Sequence, residues 1–207
     1  MTNTKMLEPE LQALAQFFAA ATQHASIAMC QWTRGHMTLS VDEICVAPVE
    51  NLAKCMNLDT ELMTPVAMVV VDVQGHCGGQ LILAFDETHG RRLAASLLGR
   101  ELNGDPQWSD LEKSAVMETG NILSSAYLNE MTRLTDRPLQ PSAPYFCQDF
   151  GGSVLQQAVA AQAMLSDRIL VCRTQFQFDQ EQVNWNVFFV PQETLLRAMQ
   201  ESVCSAN

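Results

Sequence analysis

Glu118, Gly120 and Asn121 fall within four positions of one another in the run METGN, and they are the residues of this chain best suited to chemistry. The surrounding pattern is helical, and positions three and four apart share a helix face, so Ser114, Glu118, Asn121 and Ser125 project from one side. A carboxylate and a carboxamide one turn apart form a small polar prong. The carboxamide has no usable pKa, so Asn121 cannot act as a general base. The interval alone says little, because Glu181 and Asn184 repeat it. That second pair is expected at a hairpin turn, where the two side chains share no helical face. Taken alone, Glu118 and Asn121 read as a solvated helix face. Gly120 costs a helix interior about 1 kcal/mol against alanine. Either a partner approaches the helix closely on that side, or a facing helix presses against the glycine.

Other candidates carry less. Histidines 24, 36, 76 and 89 include only one beside a cysteine, His76 with Cys77 in GHCGG, and adjacent turn residues chelate poorly. GHCGGQ lacks the G-K-[ST] ending of a phosphate loop. HGRR at residues 89–92 reads as a solvated basic patch or a phosphate contact. The three tryptophans read as anchors of the core or of helix ends. Seven cysteines without a C-x-x-C pair fit reduced thiols, most of them small core residues. The formal charge of −11, with 12 scattered Lys and Arg, argues against nucleic-acid binding. With no signal peptide and no long apolar run, no membrane association is expected, and the chain reads as cytoplasmic.

The elements that must position the prong come in two similar halves. A long helix from about Pro9 to Arg34, strands in MTLSVDEICVAPV, TPVAMVVVDVQ and QLILAF, a short helix in VENLAKCMN, and a helix in DETHGRRLAASLLG make up the first. The second repeats the order: a helix from Ser109 to about Leu134, a strand near Tyr145, a helix in SVLQQAVAAQAML, strands in RILVCRTQFQF and VNWNVFFV, and a closing helix. On the motif helix the apolar set Leu111, Ala115, Ile122, Tyr127 and Met131 is expected to cover much of the remaining surface. FDETHGRRLAASL and VPQETLLRAMQES both place a strand before an E-T helix start, 106 positions apart. This predicts one α+β domain over 1–207, a pseudo-symmetric duplication of about 1–104 and 105–207. Its central sheet is antiparallel, and the two long helices pack on one face of it.

Ser114, Glu118 four later, Asn121 three after that, and Pro144 after 22 intervening residues together resemble the signature of the CheC, CheX and FliY phosphatases of bacterial chemotaxis. The pair at Glu181 fails this pattern, with Gln177 and Asn207 at the outer positions. The stretches LEKSAVMETGNILSSAYLNEM and GGQLILAFDETHGRRLAASLLG are similar to that family's active helix and central hairpin. A FliY-type chain would add a flagellar switch domain, for which no residues are expected here, so a CheC-like chain is expected. Family members often carry a second motif on the first helix, but here Gln12, Gln16, Ala19 and Asp42 occupy its four positions, so a single intact motif is expected.

The resemblance implies a hydrolase of two-component signalling whose substrate is the aspartyl phosphate of a CheY-type response regulator. Glu118 would pair with the regulator's active-site lysine and Asn121 would orient the attacking water. Ser114 would add a supporting contact, and Pro144 would shape the loop before the next strand. No cofactor is implied for this chain, Mg²⁺ being carried by the regulator. A CheD-like deamidase is a further partner the resemblance allows, and homodimerisation is left open. The alternative is a non-catalytic adaptor of chemotaxis signalling that binds a regulator or a CheD-like protein.

Overall fold

A computed structural model describes residues 8–48, 65–75, 78–101, 107–150, 152–153, 160, 169–178 and 181–205. The short helix expected in VENLAKCMN, most of the one in SVLQQAVAAQAML, and His76 with Cys77 lie outside them. The elements are α1 (Glu8–Trp32), β1 (Met37–Ala47), β2 (Pro65–Gly75), β3 (Gly79–Asp86), α2 (Glu87–Leu97), α3 (Asp110–Thr135), β4 (Leu139–Pro141), β5 (Tyr145–Phe150), β6 (Ile169–Phe178), β7 (Glu181–Pro191) and α4 (Glu193–Ser205).

All strands join one antiparallel sheet in the order β1-β6-β7-β3-β2-β4, with β5 also on β2. With β5 taken as the end strand beside β2, exchanging the two halves reverses this order onto itself. At the centre Ile82 faces Phe188, 106 positions on, the offset seen between the two E-T helix starts. The opening strands of each half pair within the other half: β1 lies on β6, and β4 and β5 on β2. The chain is thus α+β with an antiparallel sheet, as the patterning predicts.

The runs VAMVVV and LILAF break strict alternation because both faces of the central strands are buried. Val69, Val71, Leu81, Leu83, Phe85 and Phe189 face the core beneath the helices, where Phe17, Phe18, Leu123, Tyr127 and Leu195 meet them. The long helices run antiparallel on this face, with Trp32 beside Thr119 and Thr22 beside Tyr127. Burying the large side chains of this layer, at roughly 25 cal/mol per Å² of apolar surface, supplies most of the force joining helices to sheet. Glu181 and Asn184 lie within β7 rather than at a turn. No helix among the described residues is long and apolar enough to cross a membrane.

Candidate functional site

The motif helix α3 begins at a capping box. Ser109 Oγ accepts from the Glu112 N–H at 3.3 Å, while the Ser109 N–H and hydroxyl donate to Glu112 Oε2 at 2.8 and 2.7 Å. Glu112 is 1% exposed and also faces the guanidinium groups of Arg91 at 3.6 Å and Arg100 at 3.3 Å. Burial alone would raise its carboxyl. The bonds from Ser109 and the two arginines outweigh that and hold it below the ordinary range. Arg91 of HGRR is therefore buried and paired with Glu112, not part of a solvated patch; only Arg92 is exposed. The neighbouring Gly90 sits against Phe85 and Trp108.

Further along, three contacts fix the rotation of α3. Gly120 faces β2, where a Cβ would lie 2.5 Å from Val69 Cγ1. The glycine therefore answers a packing need, and the surface against it is the sheet, neither the facing helix nor a partner. Tyr127 OH meets Thr22 Oγ1 at 2.6 Å inside the core. Glu130, 5% exposed, takes two bonds from Arg133 and meets His24 Nδ1 at 2.9 Å; Arg133 and His24 together hold its carboxyl low against burial. The buried stripe runs through Glu112, Val116, Thr119, Gly120, Leu123, Tyr127 and Leu128. Leu111, expected on the apolar side, is 56% exposed.

With α3 held this way, Ser114 and Glu118 are exposed and Asn121 and Ser125 half-buried, all turned from the sheet. Among the described residues neither the Glu118 carboxylate nor the Asn121 carboxamide has a side-chain partner. The Asn121 backbone carbonyl accepts from Ser124 Oγ at 3.1 Å, which leaves the amide end unused. Pro144 is half-buried and immediately precedes β5, at the start of an edge strand, where its missing N–H costs no ladder bond. The link before it is pinned to β2 through Ser142 N–H to Asp72 O at 2.9 Å and Asp72 N–H to Ser142 Oγ at 3.0 Å.

In the other half, Ile44 on β6 and Phe146 on β2 hold equivalent places in the sheet, 102 positions apart. The same offset sets Gln16 and Ala19 against Glu118 and Asn121. Both are exposed on α1. Beside Ala19 an open groove of about 250 Å³ is lined by Ile27, Leu39 and Val41, with no carboxylate in it.

Two features escaped the sequence reading. The S-x-x-E box at Ser109 is a local signal and was visible there. The bond from Trp32 Nε1 to Thr119 Oγ1 at 3.3 Å spans 87 positions, and no local pattern announces it. Among the described residues no group of three or more His, Cys, Asp or Glu is placed to hold a metal ion.

No family model matches the chain. Among curated proteins it is 22% identical over 191 residues to the CheY-P phosphatase CheC of Bacillus subtilis, covering 89% of this chain and 88% of that one. It is 24% identical over 131 residues to a Halobacterium salinarum protein described as a putative CheY-P phosphatase, CheC1; that match covers 63% of this chain and 65%, less than two thirds, of the relative. Among solved structures, Thermotoga maritima FliY superposes with a TM-score of 0.72 at 13% identity, covering 99% of this chain and 100% of that one. A chain of the Borrelia burgdorferi CheX–CheY complex with beryllofluoride and magnesium superposes with a TM-score of 0.55 at 14% identity, covering 90% and 97%. The chain thus has the fold of FliY and CheX and is similar in sequence to CheC over most of its length.

Proposed function

We propose that this protein dephosphorylates the aspartyl phosphate of a CheY-type response regulator, with α3 as the helix that enters the regulator's active site. One observation carries the reading: among the described residues the Glu118 carboxylate and the Asn121 carboxamide stand unpartnered on the outward face of a helix whose inward face is locked by Gly120 and Tyr127. Glu118 docks on the regulator's active-site lysine through a charge-assisted bond at a desolvated contact. Asn121 donates to and accepts from one water and holds it in line with the phosphorus; positioning of this kind needs no titratable group. Ser114, one turn before Glu118, adds a contact at the edge of the interface. The regulator carries the Mg²⁺.

The test is the rate of loss of the regulator's phosphate with and without this protein. Asn121→Ala is expected to remove the stimulated rate while affinity for the regulator stays within about threefold, because the amide acts on the water and not on docking. Glu118→Ala is expected to weaken affinity. Full activity in Asn121→Ala would refute the assignment. Binding without any stimulated hydrolysis by the unaltered protein would favour the adaptor instead, and repeating the assay with a CheD-like deamidase tests for a stimulated form.

A further inference from the structure

An amide that holds a water in line must itself be held, and two bonds from α1 bracket Asn121 from the inward side of α3. Six residues beyond it, Tyr127 OH meets Thr22 Oγ1 at 2.6 Å. Two residues before it, Trp32 Nε1 donates to Thr119 Oγ1 at 3.3 Å. An indole nitrogen only donates, so the Thr119 proton is free for another acceptor, and it goes to the Ala115 carbonyl of α3 at 3.0 Å. Thr119 is fully buried and β-branched, so its hydroxyl has little freedom relative to the helix backbone. The donor end is equally set. Trp32 closes α1, and just beyond it the Thr33 N–H and hydroxyl both donate to Met29 O, at 2.9 and 2.7 Å, while the Gly35 N–H donates to Cys30 O at 2.7 Å. The contact of Gly120 with Val69 limits how near α3 comes to the sheet. A hydrogen bond has direction as well as length, so the bond to Thr119 also limits how this turn of α3 rotates about its axis.

The two halves allow a comparison within the molecule. The offset of 102 that sets Gln16 and Ala19 against Glu118 and Asn121 also sets Phe17 against Thr119 and Trp32 against Leu134. Neither Phe17 nor Leu134 has a polar side-chain atom, so the half without a prong has no such bond at the matching place. We propose that Trp32 and Thr119 are positioning residues for the phosphatase reaction: their bond holds the turn of α3 that carries Asn121 at the rotation its water requires. The proposal rests on the phosphatase reading above. It separates the two motif residues, because water alignment is lost with a displacement of about 1 Å, whereas a long glutamate side chain can still reach its lysine. It also gives α1, whose Gln16 and Ala19 form no prong, the task of steadying the one on α3.

Thr119→Val keeps the shape of the side chain and removes the hydroxyl, while Thr119→Ser keeps the hydroxyl and removes a methyl. Turnover is measured by steady-state phosphate release, and affinity by titration against the regulator held in its phosphorylated form by beryllofluoride and Mg²⁺. Thr119→Val is expected to lower kcat about fivefold with Kd within about threefold, and Thr119→Ser to keep kcat within about twofold. A packing role predicts the opposite order, since serine leaves a cavity and valine does not. Trp32→Phe, at a helix end where the ring is 36% exposed and folding is not at stake, is expected to match Thr119→Val, and the double variant to be no slower than either single change. A Thr119→Val protein as fast as the unaltered one overturns the proposal. So does a Thr119→Ser protein as slow as Thr119→Val, or a double variant in which the two losses multiply. In each of these cases stimulated hydrolysis by the unaltered protein leaves the phosphatase reading standing. An unaltered protein that binds the regulator without hydrolysing its phosphate overturns both.

Discussion

Replacing Gly120 by alanine asks how tightly the motif helix is seated. An exposed mid-helix glycine replaced by alanine should stabilise a protein by about 1 kcal/mol. Here the added methyl would lie 2.5 Å from Val69 Cγ1 and 3.2 Å from Val69 Cβ, closer than carbon atoms tolerate. Val69 is 1% exposed and β-branched, so it has no free rotamer to retreat into. Overpacking of this kind costs about 1 to 3 kcal/mol, which outweighs the propensity gain and leaves a net loss of about 0 to 2 kcal/mol. At this chain length a 1 kcal/mol loss lowers Tm by about 2 to 4 °C. The relief should be specific: Val69→Ala alone opens a cavity, while Gly120→Ala with Val69→Ala should be less destabilised than the sum of the single changes. Thermal or denaturant unfolding of the four proteins measures this. The phosphate-release assay on the same set should show Gly120→Ala slowed, as α3 lifts from the sheet and carries Asn121 with it. A Gly120→Ala protein more stable than the original by the full propensity gain would refute the packing argument.

Three other expectations follow from the geometry. Glu112 has a folded pKa below its ordinary value of 4.5, so its contribution to stability is fully present above about pH 5.5 and is lost as the pH falls through 4.5 and on past the folded value; Glu112→Gln should unfold more easily at pH 7 and show a flatter acid limb, and parallel curves would count against the cluster. Cys172 is 1% exposed and its thiol is pushed up to about 12 by burial, so alkylation at pH 8 should spare it until the protein unfolds, as peptide mapping would show. Gln16→Glu with Ala19→Asn places a prong on the exposed face of α1, and up to about a twofold faster dephosphorylation is expected if that face docks as α3 does; an unchanged rate would mean it does not.

The long helices and the paired strands were legible because their patterns are local: apolar residues recur at helical spacing along α1, and VAMVVV and LILAF mark strands. β4 was missed because three residues ending in a proline carry no period. The inward stripe of α3 was only partly legible, since Thr119, Gly120, Ser124 and Thr135 are buried without being large or apolar, and hydrophobic periodicity is blind to them. Arg91 was misread for a related reason: its partner Glu112 belongs to another helix, and only the fold brings the two together. The prong was the reverse case. Its residues were plain in the sequence, and the fold adds which way they point.

The exchange of opening strands between the halves bears on how the molecule can come apart. Among the described residues β1 has its ladder only on β6, and β5 has its ladder only on β2. A cut between the halves would leave two fragments, each with a strand whose hydrogen-bonding partner belongs to the other. Neither fragment could shed its counterpart by sliding, only by unzipping a whole ladder. The two long helices therefore ride on an interlocked platform, and the spacing between Trp32 on one and Asn121 on the other is set by both halves together.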